Sequence, residues 1–221
     1  MTRFAVVVVA AALGPLAGCS LGQGEGVVRS ESLYAADCWL HNSYDLQPDF
    51  FAAVPYRQTL QIRVQRGSDL QEVSDGFAVQ VDDVDLIRSQ LGKPVCLSLP
   101  AGVVAPGSLP IRPDPLVDAV CGGQYPVHAA LYLQSSCHNQ NTVLYAISGT
   151  IVFDALFSGD PNEDQGAEKY TSARFEEVVI GDPHDAPPSA SADQIPDDKR
   201  SKLTGNFSFY FERGQPGQPF P

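Results

Sequence analysis

Residues 59–65 read Thr59-Leu60-Gln61-Ile62-Arg63-Val64-Gln65, apolar at Leu60, Ile62 and Val64 and polar at every position between. Successive side chains of an extended chain point to opposite faces, so this stretch is a strand with one buried and one wetted side. The same period returns at Phe77, Val79 and Val81, behind the turn signal Asp75-Gly76, and at Val127, Ala129, Leu131 and Leu133. It resumes at Val143, Tyr145, Ile147, Ile151 and Phe153, then over residues 175–180, and finally at Phe207, Phe209 and Phe211. Residues 119–153 carry no charge, but Gln124, Gln134, Ser135, Ser136, Asn139, Gln140 and Asn141 interrupt them. They therefore read as two central strands around a polar loop and not as a membrane span.

One helix interrupts this pattern. Asp82 is placed to cap it, Asp83 and Asp85 favour its first turn, Val84, Ile87 and Leu91 share a side, and Gly92 and Pro94 end it. Gly 19 and Pro 18 in 221 residues argue against a helical bundle, whereas 43% hydrophobic and 18% charged residues suit one globular domain. The expected fold is mainly β, an antiparallel β-sandwich or barrel with one short helix. Fourteen Lys and Arg against 26 Asp and Glu give a net charge of -12, which a phosphate backbone repels, so nucleic acid is excluded as a partner.

The N-terminus carries an address. Arg3 precedes the apolar run Phe4 to Leu13, Pro15 breaks it, and Leu16-Ala17-Gly18-Cys19 follows. Ten residues span about 15 Å as a helix, too little to cross a bilayer. The segment resembles the signal peptide and lipobox of bacterial lipoproteins. That resemblance covers residues 1–19 and implies cleavage before Cys19, a diacylglyceryl group on its thiol and acylation (palmitate or a similar chain) of its amine. Ser20, which is not Asp, implies sorting to the outer membrane of a double-membraned cell. Two or more acyl chains hold a protein at a bilayer stably, and the acidic chain adds no polybasic attraction. The domain plan is a signal peptide over 1–18, the lipidated Cys19 with a Gly- and Ser-rich tether over 19–32, a β domain over 33–213 and an irregular tail over 214–221. Residues 187–199 are expected to form a mobile acidic loop.

Four cysteines remain: Cys38, Cys96, Cys121 and Cys137. An even number in an exported chain, with no Cys-x-x-Cys spacing, points to two disulfides and away from zinc. Three connectivities are open and the sequence does not choose among them. The pairing favoured here is Cys96 with Cys121 and Cys38 with Cys137, loops worth roughly 3 and 5 kcal/mol by constraining the unfolded chain.

Catalytic arrangements are hard to find. His41 and His184 fall in turn-like segments, and His128 belongs to the outer, part-solvated side of its strand. Ser135, Ser136 and His138 form no nucleophile elbow, and Glu176 and Glu177, adjacent on a strand, point to opposite faces. Asp160, Asn162, Asp164 and Glu168 alternate oxygen donors of the kind calcium takes, although Gln165 stands where an EF-hand loop needs glycine and Thr171 where it needs glutamate. Trp39 is expected to pack on a disulfide; Trp39, Tyr44, Phe50 and Phe51 either fill the core or offer a surface for a partner or a sugar. The expectation is a non-enzymatic interaction or structural module anchored to the bacterial envelope, with an envelope protein as partner. A calcium- or carbohydrate-binding sandwich is the alternative.

Overall fold

The computed structural model describes residues 24–36, 38–67, 74–100, 121–137, 142–187 and 194–213. The expected signal peptide, Cys19, His138 and the residues 214–221 lie outside them. Ten strands form one curled sheet: β1 (Gly24–Ala35), β2 (Trp39–Leu46), β3 (Phe50–Tyr56), β4 (Thr59–Gln65), β5 (Gly76–Val81), β6 (Pro94–Ser98), β7 (Val127–Leu133), β8 (Thr142–Ala155), β9 (Tyr170–Gly181) and β10 (Ser201–Tyr210). Their order is β2-β1-β10-β9-β8-β6-β7-β5-β4-β3, with β8 also pairing β7. The fold is thus mainly β and half-barrel in form. A single parallel pair, β6 with β7, makes the sheet mixed.

The curl brings distant strands face to face. Phe77 of β5 stacks on Phe175 of β9 at 4.9 Å, and Phe51 of β3 on Phe209 of β10 at 6.0 Å. The inward residues Leu60, Ile62, Val64, Val79, Leu131 and Phe207 complete this core, as their period-two spacing requires. Four further residues, Leu99, Ile147, Ala186 and Ile195, form a small second cluster.

Several expectations need correction. Residues 24–32 are not a tether but most of β1, an inner strand between β2 and β10. Its glycines serve close approach and not flexibility. A Cβ on Gly24 would stand 2.7 Å from Ser208 O and from Phe51 Cδ2, and one on Gly26 2.7 Å from Asn206 O. In β8 the alternation changes phase: Leu144, Ala146, Ile151 and Phe153 are buried, and a register shift around Gly149 (φ 120°) absorbs the extra residue. Ile147, consequently, belongs to the second cluster.

Helix α1 (Val84–Arg88) is capped by Asp83, whose carboxylate accepts from Leu86 N at 2.9 Å, while Asp82 bonds Gln80 and His128 instead. The helix ends before Leu91, which is exposed. Within the expected mobile loop, Ile195 is buried, Arg200 Nε donates to Ile195 O at 2.7 Å and Lys199 Nζ reaches Asp185 at 2.6 Å, so residues 195–200 are pinned to the sheet.

Gly205 is the tightest contact in the interior, since a Cβ there would meet Val27 O at 2.4 Å and Phe175 Cζ at 2.7 Å. Backbone does not yield as a side-chain tip does. Gly205→Ala is expected to lower stability by about 1–3 kcal/mol, read as a reduced denaturation midpoint in urea.

Candidate functional site

The two edges of the sheet, β2 and β3, are consecutive in the chain and joined by Gln47, Pro48 and Asp49 alone. Side chains close the gap beside them. Asp75, just ahead of β5, accepts from Ser135 N at 2.9 Å and Ser136 N at 3.0 Å through Oδ1. Its Oδ2 accepts from Ser136 Oγ and, at 3.2 Å, from Tyr44 OH of β2. One residue further on, Cys137 is bonded to Cys38 in the β1–β2 turn, with a Cα separation of 5.3 Å. Cys96 is bonded to Cys121, Cα atoms 6.0 Å apart. Both pairings are the ones favoured from the sequence.

Ser136 therefore binds a buried carboxylate through its amide and its hydroxyl, and Ser135 through its amide alone. Four hydrogen bonds fill the acceptor capacity of Asp75. Desolvation, followed by the charge of Asp75, pushes the Tyr44 phenol well above its ordinary range. This cluster is a fastener.

His128 is 9% exposed, contrary to the part-solvated position expected for it. Its Nδ1 lies 2.9 Å from Ser98 O and its Nε2 3.1 Å from Asp82 Oδ2, so both ring nitrogens are engaged. Glu176 and Glu177 do not point to opposite faces. Glu177 has φ 52°, both side chains are exposed between the buried Phe175 and Val178, and Glu177 pairs with Lys202 at 3.1 Å. The bulge reverses the expected parity.

The proposed calcium ligands are not assembled. Asp160 Oδ1 accepts from Asn162 N at 2.8 Å, a local turn bond, and Glu168 is bound by Arg88 of α1. Among the described residues no three His, Cys, Asp or Glu side chains group as metal ligands do. The sugar-contacting surface is not formed either. Tyr44, Phe50 and Phe51 are core residues, and Trp39 packs edge-on to Tyr44 at 5.6 Å while its Nε1 donates to Asn42 O.

What the structure does offer is an open groove of about 810 Å³ over β1, β2, β10 and the turn Asp197–Lys199. Three ion pairs line it: Arg29 with Asp45 at 3.2 Å, Arg200 with Asp197 at 3.3 Å and Lys202 with Glu177 at 3.1 Å. Ser32 Oγ and His41 Nδ1 are 3.3 Å apart at its rim. Ser30 lines it too, only 5% exposed, and its Oγ has no hydrogen-bond partner. Among the described residues, two of the three non-glycine residues with positive φ, His41 (58°) and Glu177 (52°), stand on this groove. Irregular backbone is concentrated there: β1 shifts register between Ser30 and Leu33, and β9 against β10 between Leu203 and Gly205. Nothing in the alternation of residues signals the groove, because bulges build it.

Comparison with protein-family models, with curated proteins and with solved structures finds no match for this chain.

Asp75→Ala strands the Tyr44 and Ser136 hydroxyls and is expected to cost on the order of 3 kcal/mol, measured by urea denaturation. Alkali provides a second test. Tyr44, Tyr132 and Tyr145 are all pushed up by burial in the folded protein, so the neutral phenol is favoured there. Their stabilisation is complete below the ordinary phenol value of about 10 and is lost as pH rises past it. Tyr44→Phe should flatten the fall of Tm on the alkaline side while lowering Tm modestly near neutrality.

Proposed function

We propose that the chain is an extracytoplasmic lipoprotein, acylated on Cys19, whose disulfide-braced β domain binds a protein partner of the bacterial envelope and performs no catalysis. The observation that carries the binding role is the groove over β1, β2 and β10, where exchangeable charges surround an unpartnered buried hydroxyl. Exposed ion pairs contribute little to stability, so Arg29, Asp45, Lys202 and Glu177 can swap their partners for those of an incoming chain at small cost. Ser30 Oγ then gains a bond that the free protein leaves unmade.

A charge-rich lining suits a polar polypeptide segment better than a sugar, which is gripped through exposed aromatic faces. Both disulfides suit an oxidising compartment outside the cytoplasm, in keeping with the lipobox resemblance and with residence at the outer membrane. Two of the four histidines add support to the non-catalytic reading, since His128 is held at both nitrogens and His184 is paired with Asp182 at 2.6 Å.

Site-specific photo-crosslinking in living cells tests this. A crosslinker at Glu31 or Lys202 is expected to yield one discrete protein adduct, and one at Arg174, an exposed residue outside the groove lining, is expected to yield none. The same adducts from every position, or none from the groove, would count against the groove as the binding site.

A further inference from the structure

Strand β1 begins at Gly24, five residues after Cys19. Five residues reach at most about 18 Å whatever their conformation. From Gly24 to Ala35, β1 itself extends about 36 Å at the usual rise per residue. A chain anchored at Cys19 therefore keeps the Gly24 end of the half-barrel close to the lipid and the Ala35 end, with Trp39 and Cys38, far from it.

That same end carries most of the large apolar side chains exposed among the described residues. Tyr210 follows Phe209, the register partner of Gly24, and its ring lies 4.8 Å from that of Tyr170. Phe51 sits against Gly24, and β3 runs on from it through Val54 to Tyr56, both exposed. The turn after Tyr56 is tied to α1, since Val84 N donates to Gln58 O at 3.0 Å, and the exposed Leu91 follows α1 directly. Leu40 alone is exposed at the opposite end. The Arg57 guanidinium lies 5.3 Å from the Tyr56 ring, at the tip of the β3–β4 turn.

We infer that the Gly24 end of the half-barrel, led by Tyr56, Tyr210 and Val54, rests in the headgroup region of the bilayer that holds Cys19, with the domain standing end-on. This rests on the lipoprotein reading above and adds to it the surface that meets the lipid. Tyrosine rings suit that layer because their bodies are apolar and their hydroxyls remain wetted, and Arg57 extends its charge to the phosphates. The acyl chains supply the affinity, since the acidic chain gains no attraction from anionic headgroups, and the exposed Tyr56, Tyr210 and Val54 supply the orientation. Standing in this way, the domain holds Glu31, Ser32 and His41, well along β1 and β2, away from the lipid and open to a partner.

The single tryptophan, Trp39, makes the test direct. The full-length protein, matured in a bacterial host, is reconstituted in phosphatidylethanolamine and phosphatidylglycerol vesicles, with or without bromine near the carboxyl end of the acyl chains. Wild type reports the quenching of Trp39, and Tyr56→Trp and Tyr210→Trp, both at exposed positions, each add one reporter. The expected result is that wild-type emission is unchanged by bromine while both variants lose the emission of the added residue. Flotation with the vesicles and the mass of the Cys19 peptide are read on the same samples. A lipidated, floating protein whose added tryptophans are unquenched, or whose Trp39 is quenched equally, overturns the end-on orientation and leaves the anchor standing. An unmodified Cys19 in a protein that does not float overturns both.

Discussion

The structure depends on a fastening between strands that no backbone ladder joins. A sheet of ten strands whose first and last members are consecutive in the chain must curl until its ends meet, and the three residues between β2 and β3 enforce this covalently. Asp75 and the Cys38–Cys137 bond complete the closure, one by collecting four hydrogen bonds and the other by tying the β1–β2 turn to the end of β7. A closed interior follows, in which phenylalanines from opposite walls stack on one another. A carboxylate is suited to this place because it accepts from two backbone amides and two hydroxyls at once, which a neutral amide side chain does not match.

Curvature on this scale needs extra residues on the outer surface. The shifts in β1, β8 and β9 supply them, and the chain accommodates each with a positive φ or a close glycine contact, as at Glu177, Gly149 and Gly205. Bulges also re-aim side chains. Glu176 and Glu177 share the outer surface for this reason, and the groove over β1, β2 and β10 is a by-product of the same bending. The bending that curls the sheet thus also shapes the surface proposed for binding.

Strands were most legible where apolar residues alternate in the sequence. Residues 59–65, 76–81 and 127–133 alternate so, and their apolar positions pack in the core, although β5 and β7 are buried on nearly both faces. β1, β2, β3 and β6 carry no such signal. β1 is rich in Gly and Ser, which propensity assigns to linkers, yet its glycines admit neighbouring backbone where a side chain would collide. Tyr44, Phe50 and Phe51 carry no period that separates a buried aromatic from a sugar-facing one; only their place against β1, β10 and Asp75 decides it. Loop residues 160–168 had the oxygen content of a calcium site, but content does not bring ligands to one point, and Arg88 holds Glu168 elsewhere.

By itself, the sequence determined the strand-rich class, the segmentation of the apolar positions, the acidic surface and the presence of four cysteines for pairing, because these depend on local periodicity and counting. Only the tertiary structure decided that Asp75 and not a histidine is the centre of the polar network, that the chain makes one mixed sheet and not a sandwich, and that the groove exists. Hydrogen bonds between residues 31 to 61 positions apart, and bulges that shift a face by one residue, are properties of strand neighbours. Which strands become neighbours is set by the closure of the whole sheet, and no window of sequence contains it.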